Sequence, residues 1–320
     1  MRKNNFNVPI LFLIYKDPKI TKITFNAIKK IKPSILYIAA DGPKAYSKSD
    51  LNECNLTRDI IHDIDWDCKL YTKFNPVNFG LKQAVVSAID WFFLNEEEGI
   101  ILEYDCLASE DFFFFCEKML DRYRSDLDIF SITGTNLQGH LIRGDGDYYF
   151  SNFFGCWGWA TWKRSWLKWS PNLPNFYKFK SENLISNFLI SSKMQKRYLY
   201  ELEKIELGKN TTTWSFNFEY IQLINHGLCI VPNANLISNL GFNSNATHIK
   251  SSDHPLANIA MAPLKSFKAP SFKMPNINAD ELQMRKSFYL PLTSIVKYYL
   301  RDVISDFLPL KIKNYLKQFF

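Results

Sequence analysis

Glu103 and Asp105 stand one residue apart where the apolar run of residues 100–102 stops, in the stretch GIILEYDC. Carboxylates at the tip of a buried strand are costly unless water, a cation or hydrogen-bond donors compensate them. Mg²⁺ and Mn²⁺ prefer oxygen ligands and are commonly held by one or two carboxylates together with substrate phosphates. A diphosphate and a divalent cation are therefore the chemistry that this pair suits. The plainer alternative makes Asp105 a surface-loop residue and Glu103 a satisfied strand-end acid. Tyr15 and Lys16, and then Asp41 of ADGPK, follow two other apolar runs. In NFGLKQAV, Gly80 falls at a turn and Lys82 at the start of a helix, where a lysine and a helix N-terminus together can neutralise phosphate, or the lysine can simply be solvated. In FGCWGWATW, two glycines allow close backbone approach, and Trp157, Trp159 and Trp162 either offer faces to sugar rings or fill the core.

These residues need a scaffold, and the apolar spacing supplies one. Residues 8–15 read as a strand, and Ile20, Ile23, Ala27, Ile28 and Ile31 then recur at helical spacing. Residues 35–40, 69–74, 100–103 and 129–134 read as further strands. Leu81, Ala84, Val85, Ala88, Ile89 and Phe92 mark one helix face. Phe112, Phe115, Cys116, Met119, Leu120 and Tyr123 mark another, with Ser109 placed to cap it. Alternation of this kind predicts an α/β fold with a mostly parallel sheet covered on both faces. Ligands of such sheets bind beyond the carboxyl ends of the strands, which is where the acids lie. Residues 136–147 read as a loop, and 148–249 as a less regular region with helical patterns near 182–207 and 216–226.

The 320 residues carry a net charge of +7, with 47% hydrophobic and 16% aromatic side chains, a composition that excludes disordered and fibrous classes. The basic balance suits an anionic substrate, a nucleic acid or an acidic membrane surface. Six scattered cysteines without a CxxC pair read as reduced thiols of a cytoplasmic protein. The apolar stretch near the N-terminus is too short, and lacks the cleavage site, for a signal peptide, and no run of 18 apolar residues occurs.

The segments VPILFLIYKDP, LYIAADGPK, NFGLKQAVVSAIDWFF, EEGIILEYDC, YYFSNFFGCWGWATWKRSW and GLCIVPNANLISNLGFNSNATHIK resemble, in order, the bacterial GT-A fold glycosyltransferases of the hemolytic-protein-like, nucleotide-diphospho-sugar transferase group. A more distant similarity is to the N-acetylglucosaminyltransferase I-type enzymes. The resemblance implies a Rossmann-like GT-A catalytic domain over 1–250, with a nucleotide-sugar half (about 1–135) and an acceptor half (about 136–250). It implies that Asp41 contacts the base or ribose of the donor and that Tyr15, Lys82, Glu103 and Tyr104 belong to the donor site. Asp105 and His248 would hold Mn²⁺ or Mg²⁺, and Trp157, Gly158 and Trp159 would meet the acceptor. Tyr104 replaces the middle acid of the group's Glu-Asp-Asp motif. Where relatives carry TWD, this chain has TWS, so Ser215 occupies the place of the usual base; Glu219, one helical turn on, is the replacement expected here.

Residues 251–286, broken by Pro255, Pro263, Pro270 and Pro275, read as an extended connector. Residues 287–320 read as a helical tail whose apolar stripe (Leu292, Ile295, Tyr299, Val303, Phe307) runs beside Lys297, Arg301, Lys311, Lys313 and Lys317. Such a helix suits peripheral contact with anionic lipid at the inner face of the cytoplasmic membrane, or packing on the catalytic domain or a homodimer partner. The sequence thus predicts an inverting, metal-dependent glycosyltransferase that moves a sugar from a nucleotide-sugar donor, UDP-linked, to a glycan or lipid-linked glycan acceptor. Nucleic acid is not among the expected partners. Nucleotidyl transfer on a similar scaffold, and a non-catalytic glycan-binding or membrane-associated protein, are the alternatives.

Overall fold

The computed structural model describes residues 6–139, 141–242, 256–257 and 259–288. β1 (Ile10–Ile14), α1 (Pro18–Ile31), β2 (Ile35–Ala40), α2 (Lys48–Arg58), β3 (Lys69–Phe74), α3 (Leu81–Asn95), β4 (Glu98–Glu103), β5 (Cys106–Ala108), α4 (Glu110–Arg122) and β6 (Ile129–Thr133) come first. They are followed by β7 (Tyr148–Ser151), β8 (Trp159–Trp162), α5 (Lys163–Trp166), α6 (Phe176–Ser181), α7 (Ser192–Glu206), α8 (Ser215–Ile224), β9 (Leu228–Pro232), β10 (Ile237–Asn239) and α9 (Ile277–Ser287). Local chemistry sets several boundaries. Asp17 accepts from the Ile20 amide and Pro18 occupies the first turn of α1, while Ser109 caps α4 through the Phe112 amide and Glu110 and Asp111 face its positive end.

Eight strands form one sheet in the order β3-β2-β1-β4-β8-β6-β9-β7. β3, β2, β1 and β4 pair in parallel, β6 pairs in parallel with β9, and β8 and β7 run against their neighbours. Strand alternation assigns the two faces. Ile10, Phe12 and Ile14 pack with Phe25 and Ile28 of α1 and Phe112, Phe115 and Met119 of α4. Leu11 and Leu13 point the other way, to Val85, Ile89 and Phe92 of α3 and to the Trp159–Trp166–Trp214 cluster. The protein therefore has the α/β class read from its sequence: a mostly parallel, Rossmann-like sheet covered on both faces.

The second half is more regular than the sequence suggests. β7 (YYFS), β8 (WATW) and β9 (LCIVP) are short and buried at every position, and no run of helical spacing sets them off as it does the strands of the first half. The expected connector also needs correction. Residues 259–275 carry no regular structure, but Asn276 caps α9 through the Ala279 amide, and Ala279, Asp280, Glu281 and Met284 of that helix are buried. The prolines of the connector end at Pro275, which forms a bridge with Phe150 of β7, and a helix can start immediately beyond it. Apart from Ser287 and Phe288, the expected tail lies outside the described residues. Among the described residues, no helix is long and apolar enough to cross a membrane.

Candidate functional site

Chain order in the sheet reverses between β1 and β4, the switch point at which open α/β sheets bind ligands. A cavity of about 460 Å³ opens there. Its walls bring together Tyr15 and Lys16 after β1, Asp41 after β2, Asn75 after β3, Glu103 and Tyr104 at the end of β4, and Gly80, Leu81 and Ala84 at the start of α3. Its size falls in the range of small-molecule sites. No side chain caps α3, which begins after Gly80 at φ 83°, so the amides of its first turn and the positive end of its dipole border the cavity. Backbone amides at a helix N-terminus are a ready anion site. Lys16, Lys44 and Lys73 add cationic side chains to the lining.

Asp41 takes a different role from the one the resemblance implies. Its carboxylate accepts from five protein donors: the amides of Gly42, Phe79 and Gly80 and the side chains of Asn75 and Asn78, at 2.9–3.1 Å. A carboxylate has about four lone-pair positions, so no acceptor is left over for a base or ribose. Asp41 instead ties the loop of residues 75–80 to the end of β2 and thereby fixes where α3 starts. Asn78 also donates to the Tyr15 hydroxyl at 3.1 Å. Burial and the nearby Asp50 carboxylate push the Tyr15 phenol above its usual range.

Glu103 lines the cavity, whereas the Asp105 carboxylate sits behind it, against Cys106 and Gly241; a Cβ added at Gly241 would come within 2.3 Å of Asp105 Oδ2. Burial lifts both acids above the carboxylate range, and repulsion from Asp105 lifts Glu103 further. No cationic side chain is among the groups that act on either one. Among the described residues no three His, Cys, Asp or Glu side chains gather as a complete metal site. Two uncompensated hard oxygen donors, Glu103 in the cavity wall and Asp105 behind it, are a donor set that fits a divalent cation completed by phosphate oxygens and water. His248, the other expected ligand, lies outside the described residues.

A second cavity, of about 520 Å³, holds the expected base and one of the expected acceptor residues. Glu219 and Ser215, one turn apart on α8, line it with Trp157, Phe216, Phe288, Met284, Arg197 and Lys204. Glu219 is 6% exposed, and its Oε2 accepts from the Phe154 amide at 3.0 Å. Burial pushes its acid up to about 8, against the opposing pull of the Tyr198 hydroxyl and that amide. Cys156 lines the second cavity, and its thiol is pushed up by burial and by the charges of Glu103 and Glu219.

Three further expectations are corrected. Lys82 does not line the first cavity; it lies on the α8 side of α3, 3.5 Å from Asn217 Oδ1 and over the Trp169 ring, where burial lowers its ammonium pKa. Trp159 is 0% exposed and stacks on Trp214, so its ring has no face for an acceptor. Gly158, at φ 61°, packs against Ile237 and Leu102 and lines neither cavity. Asn75, Asn78, Lys44 and Lys73 escaped sequence reasoning because single polar residues in loops and strand ends carry no distinguishing pattern.

No protein-family model matches the chain, and no curated protein matches it. Solved structures of low similarity exist. A Pyrobaculum calidifontis mannosyltransferase in complex with GDP-Man and Mn²⁺ is 11% identical over 50% of this chain, with a TM-score of 0.34; the chain spans 45% of that enzyme's length. HddC from Yersinia pseudotuberculosis is 9% identical (49% of this chain, 78% of that one, TM-score 0.29). A UDP-glucose pyrophosphorylase complexed with UDP-glucose is 13% identical (52% and 81%, TM-score 0.32).

Proposed function

We propose that the protein is a glycosyltransferase that takes a sugar from a nucleoside-diphosphate donor, UDP-linked, in the first cavity and passes it to a glycan hydroxyl in the second. The observation that carries this reading is the first cavity itself. An uncapped helix N-terminus and three lysines meet the cation-free carboxylate of Glu103 at the switch point of the sheet, with that of Asp105 behind it. That arrangement matches a diphosphate with a divalent cation. Glu103 and Asp105 would hold Mn²⁺ or Mg²⁺, which when bound supplies charge neutralisation for the departing diphosphate. The α3 amides would orient the phosphates. Glu219 would take the proton of the acceptor hydroxyl as its oxygen bonds to the anomeric carbon and the bond from that carbon to the phosphate oxygen breaks. Attack from the second cavity, on the side away from the diphosphate, gives inversion. The apolar ring surfaces of Trp157, Phe216 and Phe288 suit a sugar or an amphiphilic, lipid-linked acceptor.

The test is to incubate the protein and Mn²⁺ with UDP-, GDP- and dTDP-sugars and follow nucleoside diphosphate and free sugar, with water standing in for the acceptor. Slow release of the diphosphate from one donor class is the expected result. Pyrophosphate release from a nucleoside triphosphate and a sugar phosphate would instead make the protein a nucleotidyltransferase. Donor binding without turnover would leave a non-catalytic binding protein.

A further inference from the structure

α9 lies beyond the part of the chain that resembles a catalytic domain, yet its hydrogen bonds hold the short backbone segment that contacts the candidate base. Asp280 is 0% exposed. It accepts from Ser151 Oγ at 2.6 Å, from the Asn152 amide at 3.2 Å and from Asn152 Nδ2 at 2.8 Å. Ser151 Oγ in turn accepts from the Phe153 amide at 3.0 Å, and the next amide, that of Phe154, donates to Glu219. The Asn152 carbonyl accepts from Gln222, one turn beyond Glu219 on α8, at 2.9 Å. One buried carboxylate thus fixes both the segment that presents an amide to Glu219 and the helix that carries Glu219. On the same helix, Glu281 accepts from the Ser191 amide that opens α7, while Gln283, Met284 and Ser287 line the second cavity.

We infer that Asp280 is a positioning residue for Glu219 and that α9 is an integral wall of the second cavity. The role of Glu219 as base rests on the proposed function; the contacts made by Asp280 do not. A buried anion this close also acts through its charge, and Asp280 is among the groups that lift the Glu219 acid. The other titratable or charged groups around Glu219 are Tyr198 of α7, Cys156, and Arg197, Glu201 and Lys204 across the cavity.

The test compares the full chain with Asp280→Asn by carbon-detected carboxyl NMR, with Glu219 assigned through Glu219→Gln. Removing the neighbouring charge should move the Glu219 titration to lower pH. It should also slow hydrolysis of the UDP-sugar donor about tenfold without changing the donor KM, and shift the alkaline rise of the hydrolysis rate in the same direction. An unmoved Glu219 titration in a folded Asp280→Asn protein would overturn the inference. Should hydrolysis survive in Glu219→Gln, the base assignment falls, and the NMR comparison still decides the role of Asp280. If Asp280→Asn does not fold, Ser151→Ala removes one donor to Asp280 and keeps the charge. It should lower the hydrolysis rate several-fold at constant donor KM, and an unchanged rate would count against positioning.

Discussion

At the residue scale, the site separates acids that bind from acids that build. Asp41 is a builder, because five donors fill its carboxylate. Asp41→Ala should destabilise the protein by at least about 2 kcal/mol, since each hydrogen bond to a charged group contributes roughly 1.5–3 kcal/mol and several donors lose their partner. Urea denaturation gives that value, and a change within about 0.5 kcal/mol would show that the loop is held by other means. Asp105 is the binder under the proposed function. Asp105→Ala should remove the Mn²⁺ dependence of UDP-sugar binding in calorimetry, and the loss of a buried, uncompensated carboxylate should leave the fold intact or stabilise it. Undiminished Mn²⁺-dependent binding would exclude it as a ligand. Glu219→Gln should keep donor affinity while lowering turnover by roughly a hundredfold or more, the usual contribution of a general base. Because burial raises the Glu219 acid to about 8, wild-type turnover should climb with pH until that value is passed.

At the scale of elements, Gly158 ties the loop bearing Trp157 to the sheet. It sits at φ 61°, and a Cβ there would approach Ile237 Cδ1 to 2.4 Å and Leu102 Cδ1 to 3.3 Å. Left-handed backbone costs an L-residue roughly 1–2 kcal/mol, and overpacking adds about 1–3 kcal/mol. Gly158→Ala should accordingly lower stability by about 2 kcal/mol or more in chemical denaturation. A near-neutral effect would mean that the small antiparallel pair β5–β10, to which Ile237 belongs, gives way easily. α9 makes an analogous point about the C-terminal region. A chain cut within this helix loses buried Glu281 and Met284, so any truncation meant to remove the tail has to follow Phe288.

At the scale of the whole molecule, two opposing proton linkages shape stability. Glu219 and Asp280 have folded-state pKa values of about 8 and about 6, above their unfolded values because both are buried. Between the unfolded and folded values the native state binds more protons, so their stabilisation is complete at low pH and is lost as pH rises from about 4 to about 8. Asp50, held low by Lys16 at 2.8 Å, acts in the opposite sense: its contribution is present above the usual carboxylate range and fades as pH falls through its lowered value. Thermal melts should therefore give a maximum on the acid side of neutrality, and Glu219→Gln should flatten the decline toward pH 8. A Tm that rises steadily from pH 5 to 8 would contradict this. For the tail, full-length protein should bind anionic vesicles in a salt-sensitive way, and a chain ending at Phe288 should not. Equal binding by both would move the membrane contact elsewhere.

What the sequence by itself determined follows from periodicity and position. Apolar runs and helical spacing in residues 8–134 specify the strands, the helices and the class of the sheet, and the acids at strand ends point to one edge of it. The helix α9 was not read from the sequence, because the prolines up to Pro275 marked the whole segment as a connector. The partners of each side chain were decided by tertiary structure alone. Asp41 meets donors 34 to 39 residues away, Glu219 meets the Phe154 amide, and Asp280 meets Ser151 and Asn152 across more than 120 residues. Local sequence carries no record of such meetings, because they depend on how helices and strands stack once the apolar faces are buried. The same physics places Trp159 inside and Trp157 at a cavity wall, although the two stand in nearly identical sequence surroundings. Strand pleating sends β8 side chains into the core, while the loop before the strand leaves its tryptophan at the surface of the cavity.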